Sequence, residues 1–185
     1  NQASRGQMTH YLINAQDTAV WRRLLSRFDH VDVCHMPEYH LAYATRISGS
    51  RPVMWVYEHA NNVLCYPFLL TPLSLGPERS DNTGYFDVSG VYGYTGPLCN
   101  TDSTSFLKDV WSVYDCWAKE NHVIAEFMRY SIYAGNKHLA HSEVQVIENR
   151  LSAIFDMPRQ KSEILHQIPS KTRNMVRKAE RSNIT

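Results

Sequence analysis

The chain has no window of about eighteen consecutive apolar residues, so the sequence predicts no membrane-spanning helix. It has no secretory signal pattern either. Its four cysteines (Cys34, Cys65, Cys99, Cys116) lie far apart with no CxxC, and although an even number permits disulfides, nothing in their spacing marks a pair. At 185 residues the spacing fits free thiols in a reducing cytoplasm. Nine histidines are scattered. His35 with His40, and His138 with His141, are the closest approaches to metal pairs, and neither belongs to a ligand set, so no metal is expected. The net charge of +1 gives the whole molecule no strong field, and no repeat or low-complexity tract occurs.

What is present is an ordinary globular composition, 43% hydrophobic and 20% charged, enriched in tyrosine (11) and tryptophan (4). Such aromatics suit half-polar grooves or a strand-rich core. Charge is uneven: from Arg159 onward there are seven basic and two acidic residues, a net +5, against twelve basic and sixteen acidic before it, a net −4. A basic C-terminal arm on a mildly acidic body is therefore expected. Residues 1–7 (NQASRGQ) read as appended ahead of a native start at Met8, 8–157 as the main domain, and 158–185 as a basic helical segment.

Asp17 is placed to cap a helix reaching about Phe28, with Val20, Leu24, Leu25 and Phe28 at helical spacing. A loop over 32–36 precedes Pro37, which opens a second helix through Tyr39, Tyr43 and Ile47, ended by Gly49. Residues 52–60 and 63–71 read as a hairpin about Asn61-Asn62. Pro67 implies an edge or a bulge. A loop spans 73–83, and a short strand follows, then a turn with glycine at every third position (Gly90, Gly93, Gly96), Pro97, and a helix over 103–121. Phe106, Val110, Val113, Tyr114 and Trp117 supply that helix with a buried face. VIAEFMRY (123–130) is dense enough in apolar residues for a central strand; 131–142 is a loop, and 143–155 reads as two further strands. Helices follow over 158–167 and 170–182, and Ile184-Thr185 read as the start of another strand. The fold class is α/β, a mixed sheet with helices on its faces.

Strand, glycine turn and helix together are a plausible cradle for a phosphate or carboxylate, because free N–H groups gather at a helix start. The alternative is that the glycines only turn the chain. Asp87 either bonds turn amides or touches a substrate. Tyr92 and Tyr94 either meet a ligand or cover the sheet. Glu126 and Arg129, three apart in a strand, face opposite sides. Glu126 is either a general base or a buried salt bridge. Arg129 either reaches an anion near the turn or forms a structural ion pair. Arg173, Arg177 and Lys178 lie on the last helix, with Arg173, Arg177 and Arg181 at i, i+4 spacing, and read either as an anion-binding face or as a solvated one.

Four segments, VDVCHMPEYHLAY (31–43), DVSGVYGYTGPL (87–98), VIAEFMRY (123–130) and KTRNMVRKAERSNI (171–184), occur in the order found in FemAB-like acyltransferases, which the chain resembles from about residue 10 to its end. These belong to the GNAT superfamily and carry two GNAT-like domains in tandem. The resemblance implies a GNAT-like fold, cut before a second such domain. It also implies transfer of an acyl or aminoacyl group, from acyl-CoA or aminoacyl-tRNA, to an amine on a small molecule or cell-envelope precursor. A lone N-terminal half is expected to be inactive and to expose apolar surface that drives self-association. The pyrophosphate-binding turn of GNAT enzymes, Arg/Gln-x-x-Gly-x-Gly/Ala, is replaced here by SGVYGYTGP, with different glycine spacing and with tyrosines in place of small residues. On this reading no cofactor is firmly held, and substrate-binding residues would be Asp87, Tyr92, Gly93, Tyr94, Gly96 and Arg129, with the chemistry in the other half.

Overall fold

A computed structural model of the chain describes residues 8–73, 84–149 and 161–184. It divides into two compact units, the first ending at Val144 and the second beginning at Gln145. The expected boundary at 157/158 lies outside the described residues, as do the loop over 74–83 and the strand segment 151–155.

The first unit is a mixed sheet with helices on both faces. In chain order it contains β1 (Thr9–Asn14), α1 (Thr18–Leu25), a 3-10 turn (Val33–His35), α2 (Pro37–Ala44), β2 (Arg51–His59), β3 (Asn62–Pro72), β4 (Phe86–Ser89), β5 (Leu98–Cys99), α3 (Thr104–Glu120), β6 (Val123–Phe127) and a second 3-10 turn (Asn136–Leu139). The sheet order is β1-β2-β3-β4-β6, with β5 paired to β3 beside β4. All pairs are antiparallel except β4 with β6, which run parallel through the α3 crossover.

The β2–β3 hairpin forms where expected, His59 pairing with Asn62, but the left-handed residue of its turn is Ala60 and neither asparagine. Both strands are buried nearly end to end because both faces are covered. On one face Trp55, Tyr57, Tyr66 and Phe68 pack against Phe106, Val110, Trp111, Tyr114 and Trp117 of α3. On the other, Met54, Val56, Val63 and Cys65 meet Trp21, Leu24 and Leu25 of α1. Ser103 caps α3, its Oγ accepting from the Phe106 N–H. Pro37 at the first turn starts α2, and Gly49 (φ 72°) follows its end.

Several elements differ from expectation. β1 has five of six residues outside the core, so its sequence carries no strong strand pattern; it exists because β2 offers an edge. α1 stops at Leu25 and α2 at Ala44, each with looser turns beyond. β6 is not central. It ends the sheet, and Ile124 (62% exposed) and Phe127 (61%) face solvent on the two sides. Apolar density cannot distinguish a buried strand from an edge whose cover lies elsewhere. Pro67 sits in an interior strand, opposite Met54. The Val63 N–H and C=O point toward Asn100, so by alternation the Pro67 nitrogen points to the same side. There β5 has ended at Cys65 and β4 begins only at Leu69, and the missing N–H costs no ladder bond. Residues 143–149 form no strand.

The second unit holds α4 (Lys161–Gln167) and α5 (Ser170–Arg181). Pro169 precedes α5, and Asn183, left-handed at φ 56°, follows it. Ile184 is not in a strand.

Candidate functional site

The carboxyl ends of parallel strands are where open α/β sheets place their ligands. Here that end lies where β4 runs into the glycine turn and β6 into Met128, Arg129 and Tyr130. The two segments stay in register beyond the strands. Gly90 N–H bonds the Phe127 carbonyl, Thr95 N–H the Arg129 carbonyl, and Ser131 N–H the Thr95 carbonyl, with Thr95 bridged to Tyr130.

The glycines of the turn are needed for close approach, but to the chain itself. A Cβ on Gly93 (φ 115°) would lie 2.6 Å from the Cys34 sulfur. One on Gly96 (φ 85°) would meet Asn136 Nδ2 at 2.8 Å, and one on Gly90 would meet Thr95 Oγ1 at 2.6 Å and Met128 Sδ at 2.8 Å. The carbonyls are engaged as well. Tyr92 O accepts from the Tyr39 hydroxyl at 2.8 Å, and Thr95 O and Pro97 O accept from Asn136 Nδ2 at 2.7 and 2.8 Å. The helix start behind the turn is capped by Ser103 and steadied by Thr101, which accepts from the Ser103 N–H. The space that a side chain on each of these glycines would need is thus taken by the chain's own atoms.

Two buried histidines support this packing. Both are fully buried. His35 Nδ1 accepts from the Asp32 N–H, and His40 Nε2 donates to the Cys34 carbonyl. Burial lowers both, His40 to about 4, so each is neutral at pH 7.

The other expected residues are dispersed. Asp87 lies within β4 opposite Thr71, not at the turn. Burial raises its carboxyl, the nearby Thr71 hydroxyl opposes that rise, and its Oδ1 has no hydrogen-bond partner among the described residues. Tyr92 is 68% exposed, and Tyr94 is exposed as well. Arg129 stacks its guanidinium over the Phe127 ring at 5.3 Å, with no carboxylate among the described residues paired to it. Asp87 and Glu126 are on opposite faces, since Val88, next to Asp87 and opposite Glu126, packs toward α3.

Glu126 does not form the buried salt bridge that its segment allows. Its residue is exposed and no cation among the described residues contacts it, yet two core hydroxyls hold its carboxylate. Tyr66 of β3 donates to Oε1 at 2.5 Å and Tyr114 of α3 donates to Oε2 at 2.8 Å. Both tyrosines are buried, and burial together with the Glu126 charge pushes them well above the ordinary tyrosine range. Tyr130, raised to about 12 by burial and by the same charge, stands near. Tyr114 lies on the buried face that the helix periodicity predicts, whereas Tyr66, sixty residues from its partner, carries no local sign of this contact.

A cleft of about 270 Å³ opens among the residues after α1, β5 and the loop over 134–139. Of the 90–98 turn only Leu98 lines it. His138 stands at its rim against Asp102, whereas His141 bonds Asp115 of α3. Among the described residues, no three His, Cys, Asp or Glu side chains gather as a metal site would require, and no helix is long and apolar enough to cross a membrane.

On α5, Arg177 and Lys178 are exposed, while Arg173 is half-buried and donates to the Leu165 carbonyl at 3.3 Å.

No family model and no curated protein matches the chain. Among solved structures it is similar to one from Clostridium acetobutylicum described as a "predicted acetyltransferase with acetyl-CoA", at 13% identity, over 80% of this chain and 96% of that one, with a TM-score of 0.36.

Proposed function

We propose that the chain belongs to an N-acyl- or aminoacyltransferase of FemAB-like type and serves its amine acceptor, the donor being held by another part of the protein. In such a transfer the amine nitrogen bonds the acyl carbon. The donor's thioester or ester bond breaks, and the nitrogen's proton passes to a base. Glu126 is the base proposed here. Tyr92, Tyr94 and Arg129, exposed beside the same end of β4 and β6, are proposed to contact the rest of the acceptor, such as a cell-envelope precursor.

The observation that supports this reading is the pairing of a closed glycine turn with an open carboxylate. The turn's close-approach faces are filled by Cys34, Asn136, Thr95 and Met128, whereas Glu126 reaches solvent without a counter-charge. Calorimetric titration of the chain with acetyl-CoA tests it. No binding heat and no transfer by the chain alone are expected, and tight binding or turnover with that donor refutes the division of labour.

The cationic face of α5 is proposed to meet an anionic partner, tRNA phosphate included. An RNA complex that weakens steeply with salt and weakens further in Arg177→Ala/Lys178→Ala supports it. A salt-insensitive complex, or none, removes tRNA from consideration.

A further inference from the structure

The Glu126 carboxylate is built as a binding group, not merely left as a surface charge. An ionised carboxylate has about four lone-pair positions. The two tyrosine hydroxyls use one on each oxygen, and being anchored in the α3-facing core they hold the group still at the open end of β6. A mobile surface glutamate loses side-chain entropy on pairing; this one has been ordered in advance. No lysine, arginine or histidine among the described residues takes the remaining positions. The neighbours along the strand are apolar: Ile124, exposed at the point where the β4–β6 register shifts, on one side, and Met128, half-buried against the α3-facing core, on the other.

We propose that the Tyr66–Glu126–Tyr114 unit is a subsite for a primary alkylammonium group, its charge on the carboxylate and its alkyl stem on Ile124 and Met128. This deepens the acceptor reading above and rests on it for biological meaning. The subsite binds the acceptor in its protonated form, so an amine would be captured before it is made nucleophilic. A primary ammonium has three N–H donors for the open lone pairs; a quaternary ammonium has none. That difference distinguishes a built acceptor site from general attraction to negative charge.

The experiment uses the 185-residue chain with carbon-13 label in its glutamate carboxyls and tyrosine rings, titrated by NMR with n-hexylammonium, hexyltrimethylammonium and hexanoate. Expected are saturable shifts of the Glu126, Tyr66 and Tyr114 signals with n-hexylammonium alone. Affinity should fall about tenfold in Glu126→Gln, the loss of a charge-assisted hydrogen bond, and by a few-fold in Tyr114→Phe, which frees the carboxylate without removing it. Failure to saturate, equal response to the trimethyl compound, or undiminished binding in Glu126→Gln overturns the proposal. Binding at Glu126 without transfer in any longer form of the protein would leave the subsite standing and sink the transferase reading. Transfer to amines unaffected by Glu126→Gln would do the reverse.

Discussion

Asn136 ties itself to Thr95 by donating Nδ2 to that residue's carbonyl at 2.7 Å, and it holds two other strings at once. The same nitrogen donates to the Pro97 carbonyl, and Oδ1 accepts from the Ser131 N–H at 2.7 Å. All are buried. Asn136→Ala strips the Pro97 carbonyl of its donor and takes a second bond from Thr95 O and the Ser131 N–H, which still pair with each other, and should cost about 1–3 kcal/mol. Asn136→Asp, which discards both donors, should cost at least as much. Urea denaturation at unchanged m value reads the loss; a cost near zero would mean the turn is held by something else.

Gly93 is required by its backbone and by Cys34 together. Gly93→Ala should destabilise the chain by more than about 1 kcal/mol, because φ 115° is strained for any side chain and the Cys34 sulfur occupies the new methyl's place. Cys34→Ala in the same molecule removes the clash but not the strain. A double-mutant cycle should therefore show partial recovery. Strict additivity would argue that the two residues do not meet.

Much of this fold was legible in the residues. Helix α3 announced itself through Ser103 and the spacing of Phe106, Val110, Tyr114 and Trp117, since capping and amphipathicity are local properties. The β2–β3 hairpin was marked by its asparagines, although the residue that takes positive φ is Ala60. The turn over 90–97 was found but its purpose was not, because the atoms that fill it come from Cys34 and Asn136, distant in sequence. The rank of a strand within a sheet is likewise set by neighbours, which is why β6 read as interior. Glu126 was singled out from its own segment, yet the hydroxyl from β3 that fixes it leaves no local trace.

Acid should loosen the molecule through its buried histidines. The folded state holds His40 at about 4 and His35 below its ordinary value, whereas an unfolded chain protonates both near 6.5. The unfolded state thus binds more protons between pH 6.5 and about 4, so stability is complete above 6.5 and declines as pH falls through that window. His40 alone contributes up to roughly 3 kcal/mol of the decline. Denaturation midpoints across pH 4–7.5 measure it, and His40→Gln should flatten the profile. A flat wild-type profile would contradict the buried, neutral state.

Alkali should act through Tyr66 and Tyr114. Both are held above the ordinary tyrosine value, so above about pH 10 the unfolded chain releases protons that the folded chain keeps, and stability falls as pH rises. Tyr66→Phe should be less stable at pH 7 by about 1 kcal/mol or more, having lost a hydrogen bond to a charged group, and less sensitive to alkali. Ultraviolet titration of tyrosinate formation alongside circular dichroism checks both halves; ionisation of these rings near pH 10 without unfolding would be inconsistent with their burial.

Pro67 turns a gap into an alignment stop. β4 and β5 reach the same side of β3 as separate short partners, and the imino ring stands at the interval between them. Were either partner to slide along β3 toward the interval, it would meet a position with no hydrogen to give, and the slipped pairing would be one bond poorer. A single ring thus proofreads the alignment of two neighbours without touching the chemistry of either.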